Sequence, residues 1–118
     1  MSIQIDRAVF QDRVSKKFGS RQYGSSAISF SDEVYDAAQD WFDLEEWKTD
    51  PELDTAKECR IELSKYIKKK VPPRDEEKAW FVPSFIWVWL AQQVIVFIVR
   101  LIIEYYWDDM FQEIESEK

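Results

Sequence analysis

The stretch AWFVPSFIWVWLAQQVIVFIVRLII, residues 79–103, decides how the rest of the chain must be arranged. From Ala79 to Val99, 21 consecutive residues carry no formal charge, and the run resumes as Leu101-Ile102-Ile103 after the single Arg100. About 20 apolar residues suffice for a helix to cross the ~30 Å hydrocarbon layer of a bilayer. Residues 79–103, at ~1.5 Å per residue, reach about 37 Å, so a spanning helix is expected to tilt. Trp80 and Phe81 stand at one end and Tyr105, Tyr106 and Trp107 at the other. Amphipathic rings favour the water–lipid boundary, which suits that spacing. Trp87 and Trp89, inside the run, fit such a belt less well.

The flanking charges segregate. Lys65, Lys68, Lys69, Lys70, Arg74 and Lys78 precede the run, whereas Asp108, Asp109, Glu113, Glu115 and Glu117 follow it. Basic flanks tend to stay in the cytoplasm, which predicts a cytoplasmic N-terminal portion and an acidic tail on the opposite side of the membrane. Lys68, Lys69 and Lys70 are then expected to touch anionic headgroups, each contributing about 1 kcal/mol. As a bland alternative, they are the solvated end of a helix.

Polar residues within the run form a pattern. Gln92 and Gln93 lie near its middle, where an unpaired amide in hydrocarbon is costly. Gln93, Arg100, Glu104 and Asp108 align in one stripe on a helix, and Arg100 is expected to pair with Glu104 at i,i+4. In a bilayer such a stripe faces protein, a partner or a second copy. In water it would be the exposed ridge of an otherwise buried helix. Facing a lumen in an oligomer, it would suit a pore. A solitary chain in water is the arrangement least expected. Two short helices offer little surface to cover Phe85, Ile86, Val88, Leu90, Val94, Ile95, Phe97, Ile98, Leu101 and Ile102.

The remaining chain reads as short amphipathic helices. Ile5, Val9, Phe10, Val14 and Phe18 recur at helical spacing among Arg7, Arg13, Lys16 and Lys17, with Gly19 as the stop. Residues 19–30, holding both glycines and a run of serines, read as a loop. Ser31 is the expected N-cap of a helix to about Lys48, with Val34, Ala37, Ala38, Trp41 and Leu44 on one face. Asp36, Asp40 and Asp43 lie on another face, a candidate docking ridge for a basic partner or simply a solvated one. Asp50-Pro51-Glu52 reads as the start of a second helix, which Pro72-Pro73 ends.

The 118 residues carry a net charge of −7 with a pI of about 4.6. That average hides blocks: +3 over residues 1–31, −9 over 32–58, +3 over 59–78 and −4 over 79–118. Such a chain is not expected to bind nucleic acid, whose phosphates most of it repels. Histidine is absent and Cys59 is the lone cysteine. No Ser–His or Cys–His relay, zinc site, phosphate loop or dinucleotide fingerprint can be assembled. No enzymatic activity, cofactor or small-molecule substrate is therefore expected.

The expected fold is all-α: a helical hairpin followed by one long apolar helix, with a short amphipathic helix at the N-terminus. The corresponding segments are 1–30, the hairpin 31–71, a proline hinge 72–78, the apolar helix 79–107 as a membrane span, and an acidic tail 108–118. The leading functional expectation is a single-pass membrane protein that anchors, assembles or regulates protein partners through its hairpin. A soluble structural subunit of a large assembly such as a virus particle, its apolar helix covered by neighbouring chains, is the alternative. An oligomeric pore-forming protein is the second.

Overall fold

Four helices carry the chain in the computed structural model, which describes residues 3–72 and 82–117. They are α1 (Arg7–Phe18), α2 (Gly24–Leu44), α3 (Ala56–Lys70) and α4 (Ser84–Ser116), with a short 3-10 turn at Glu46–Lys48 between α2 and α3. No strand occurs among the described residues. The all-α fold with a helical N-terminal region and a long apolar C-terminal helix is as the sequence implies. The start of the apolar run, Ala79 to Phe81 with Trp80, lies outside the described residues.

Each helix buries one stripe. The α1 helix is capped by the Asp6 carboxylate, which accepts from the Ala8 amide at 3.1 Å, and it buries Phe10, Val14 and Phe18 at four-residue spacing. Lys16 and Lys17 close it where the helix dipole favours cations. The extended residues before it are tied down twice. The Gln39 amide accepts from Ile5 N–H at 2.8 Å and donates to the Ile3 carbonyl at 2.9 Å. The Tyr106 hydroxyl accepts from Asp6 N–H at 2.9 Å and donates to the Gln4 carbonyl at 3.2 Å.

Two helix starts differ from the sequence reading. Residues 24–30 are the first two turns of α2, not a loop. Ser31 is not a cap but an interior residue whose hydroxyl donates back to the Ile28 carbonyl. The physical reason is packing: Ala27 and Phe30 extend upstream the buried face that Val34, Ala38 and Trp41 continue. Gly24 makes the turn into α2 possible, since a Cβ there would collide with the carbonyl oxygens of Phe18 and Gly19. Likewise Asp50-Pro51-Glu52 forms a turn, with the Asp50 carboxylate accepting from Glu52 N–H at 2.9 Å. The α3 helix begins at Ala56, where the Thr55 hydroxyl accepts from Glu58 N–H at 3.2 Å. Leu53 is buried ahead of it.

Ring contacts fix the topology. Phe10 meets Tyr105 and Tyr106, and Phe18 meets Phe97, so α1 runs antiparallel to α4. Phe30 meets Trp87 and Phe42 meets Tyr106, so α2 runs parallel to it. The α3 helix is antiparallel again: residues before it border Ile114 and Glu117, and Lys68 lies by Val96. The α2–α3 pair is the expected hairpin. The 33 residues of α4, at ~1.5 Å each about 50 Å long, span the 49 Å long axis of the molecule. The helix runs on through the acidic residues 108–116.

The α4 helix is the core element. Leu90, Ala91, Val94, Ile95, Ile98, Leu101, Ile102, Ile103 and Met110 are buried against the other three helices. This corrects, from Leu90 onward, the expectation that the remaining helices cannot cover the apolar run; at its start Phe85 is exposed and Ile86 and Val88 are half-buried. That expectation counted a hairpin alone, whereas α1 and the extra turns of α2 contribute Phe10, Val14, Phe18, Ala27 and Phe30. The total accessible surface is 7127 Å². A folded monomer of this mass exposes about 6,800 Å², so the chain buries its surface as an ordinary globular protein does.

Candidate interaction surface

One face of α4 remains uncovered. Phe85, Trp89, Gln92, Gln93, Val96, Arg100, Glu104, Asp108 and Phe111 are exposed, and steps of three and four residues keep them in line. The stripe read from the sequence, Gln93 to Asp108, is thus an exposed ridge on an otherwise buried helix. Large apolar side chains sit on it: Phe85 is 77%, Trp89 55% and Val96 55% exposed. Single exposed apolar residues are unremarkable; here Phe85, Trp89, Val96 and Phe111 line up on one helix, interleaved with polar side chains.

The expected site residues divide sharply. Trp89, Gln92, Gln93, Arg100 and Glu104 lie on the ridge, and Tyr105 is exposed beside it. Trp87 is a core residue, edge-on to Phe30 with ring centroids 5.3 Å apart. Tyr106 is buried and holds the N-terminal segment through its hydroxyl. Trp107 is half-buried and packs on Phe111. Trp80 is outside the described residues. No ion pair joins Arg100 to Glu104 among the described residues. The Arg100 guanidinium instead lies 5.8 Å from the Phe97 ring centroid, where the ring face attracts it.

The charged candidates are separated as well. Lys68, Lys69 and Lys70 are exposed at the end of α3, and Lys70 reaches over the Tyr66 ring. Asp36 forms an ion pair with Arg7. Asp43 accepts from the Gln39 amide at 2.9 Å. Asp36 and Asp40 border a shallow hollow with Glu33, Ala37, Lys70 and Val71.

A second feature adjoins the ridge. A groove of about 440 Å³ runs between α3 and α4, lined by Arg60, Ile61, Ser64, Lys65, Lys68, Val96, Val99 and Arg100. Arg60, Ile61 and Ser64 are not among the site residues that the sequence singles out. The usable signal was the four-residue spacing of Arg60, Ser64 and Lys68 beside an apolar Ile61 off the buried stripe.

No family model, curated protein or solved structure matches this chain. Lys48 is buried between Glu45 at 3.0 Å and Glu113 at 3.2 Å, joining the end of α2 to the end of α4. The hydrogen bond to Glu45, opposed by burial and reinforced by Glu113, holds its ammonium above the ordinary lysine range. Burial pushes the Cys59 thiol up to about 12, with the nearby carboxylates of Asp54, Glu58 and Asp50 adding to the shift. A thiol so protonated is a poor nucleophile. Among the described residues no group of three or more His, Cys, Asp and Glu is placed to hold a metal ion.

By length and composition α4 could cross a bilayer, and 61% of its most apolar window is buried inside the chain.

Proposed function

We propose that this chain is a non-enzymatic helical interaction protein that works in water, with α4 as its core and the α4 ridge as the docking surface for a protein partner. The observation that carries this reading is the division of α4 itself. Its apolar side is covered by α1, α2 and α3, while its amides and charges point outward together with Phe85, Trp89 and Val96. A span facing lipid would need the opposite distribution, with polar side chains turned toward protein. Withdrawing α4 into a bilayer would also strip cover from Phe18, Phe42, Leu63 and Ile67, each of them fully buried. At ~25 cal/mol per Å², such losses amount to roughly 1.5–3 kcal/mol per side chain. The ridge suits docking because a partner's centre is commonly anchored by aromatic residues and Arg, with polar groups around them.

Membrane insertion is the second reading, favoured by the apolar length of α4. In it the N-terminal portion is cytoplasmic and lipids are the partner.

Fractionation of the tagged protein with carbonate extraction separates the two. Release into the aqueous fraction is expected, with photo-crosslinks to a defined protein from probes at positions 89 and 93 and none from position 32. Retention in membranes through carbonate would overturn the docking reading in favour of insertion.

A further inference from the structure

The groove between α3 and α4 combines an apolar floor with a cationic rim, and none of its lining residues is acidic. Ile61, Val96 and Val99 make the floor. Arg60, Lys65 and Lys68 from α3 and Arg100 from α4 stand around it. Lys65 reaches Glu62 at 3.5 Å on the exposed surface, a contact that contributes little. Among the described residues, Arg60, Lys68 and Arg100 meet no carboxylate. On the other side of the ridge, Lys17 lies 5.3 Å from the Phe97 ring centroid, adding a further cation. The acidic line of α2 borders a different hollow, beside Lys70 and Val71. A chain of net charge −7 thus holds a local cationic patch beside the Val96–Arg100 stretch of the ridge, which turns acidic one turn on at Glu104 and Asp108.

We propose that this groove seats an acidic amphipathic helix of a protein partner. The proposal rests on the docking role assigned to the α4 ridge and names the partner's chemistry. Aliphatic side chains at i, i+3/i+4 and i+7 would enter the floor over Ile61, Val96 and Val99, as helices do in apolar grooves. Carboxylates flanking that stripe would meet Arg60, Lys68 and Arg100. Arg60 and Lys68 are eight residues apart on α3, so they present charge over about 12 Å, two turns of a facing helix. A second copy of this chain is a poorer occupant, because a two-fold contact sets a surface against itself and would oppose cation to cation. An anionic bilayer is poorer too: it is flat on the scale of the groove, and the chain as a whole repels it.

The probe is a fluorescein-labelled synthetic peptide of about 18 residues, with leucines at helical spacing flanked by glutamates. A twin carries glutamine at every glutamate. Fluorescence anisotropy with the full chain is expected to show the acidic peptide binding at least about tenfold more tightly than the twin, with affinity falling between 50 and 200 mM salt. Backbone amide shifts are expected at Ile61, Ser64, Val96 and Val99. The double variant Arg60→Glu/Lys68→Glu and the floor variant Ile61→Asp should each weaken binding about tenfold or more, and Asp32→Lys should not. These are exposed or half-exposed helix positions, and unchanged circular dichroism confirms folding. Equal binding by the twin, or amide shifts confined to other elements, overturns the proposal. So does sedimentation with phosphatidylserine vesicles that is lost in the double variant while the peptide fails to bind, and so does self-association that the double variant abolishes. If the peptide fails while crosslinks from positions 89 and 93 persist, the ridge still docks a partner and only its acidic character is refuted. If both fail, the docking reading falls with it.

Discussion

Replacing Ile102 by alanine tests the placement of α4 quantitatively. Ile102 is fully buried within α4. Removing its distal carbons leaves a cavity that the surrounding packing can only partly fill, at a cost of about 2–5 kcal/mol. Taking ~3 kcal/mol, and ~2.1 cal/mol/K of unfolding entropy per residue over 118 residues, the entropy near Tm is about 0.25 kcal/mol/K. The expected fall in Tm is therefore about 12 °C. The paired control is Val96→Ala, six residues earlier on the same helix and 55% exposed, expected to change stability by no more than about 0.5 kcal/mol. Urea unfolding in detergent-free buffer, followed by tryptophan fluorescence, gives both values, and the denaturant slope should not change. An Ile102→Ala loss below about 1 kcal/mol, or equal losses at the two positions, refutes the burial pattern on which the reasoning stands.

Further outcomes follow from individual contacts. Gln39→Ala removes the paired hydrogen bonds to Ile3 and Ile5; it should lower stability by about 1–2 kcal/mol and raise hydrogen exchange at Ile5. Gly24→Ala forces a Cβ onto the Phe18 and Gly19 carbonyls, and should destabilise by more than about 1 kcal/mol in the same unfolding assay, where a strain-free site would gain. The Tyr35 hydroxyl is buried with no hydrogen-bond partner among the described residues, so Tyr35→Phe should raise stability by about 1 kcal/mol. Burial lifts the Tyr35 phenol from 10.0 to about 12 and the Cys59 thiol from 9.0 to about 12. The folded chain thus keeps protons that the unfolded chain releases, and stability should fall as pH rises from about 9 toward 12 while staying flat for these groups below 9. Denaturation midpoints at pH 8 and 10.5 check this, and a higher midpoint at pH 10.5 contradicts it.

The helical class and the long apolar helix were legible because 3.6-residue periodicity is a local signal. The stripe from Gln93 to Asp108 was legible for the same reason, since helix geometry alone aligns it. What it faces was not. Whether a run such as Val94 to Ile103 meets lipid or protein depends on apolar area elsewhere in the chain, and that area was undercounted where serines disguised the first turns of α2. Ser31 and Asp50 carry the composition of caps, yet burial of Phe30 and Leu53 outweighs the ~1 kcal/mol that a cap supplies. The Thr55-x-x-Glu58 spacing was a sequence signal for the true start of α3. The α3–α4 groove joins residues about 35 positions apart, and no local pattern announces such a pairing. The same holds for Lys48 with Glu113 and for Gln39 with the N-terminal residues.

Sedimentation equilibrium of the purified chain in buffer without detergent or lipid bears most directly on the account. A single species at the mass of one chain, 14.2 kDa, that unfolds cooperatively on heating is the expected result. Material that stays dispersed only with detergent, or that pellets without it, would contradict a helix sheltered by its own chain.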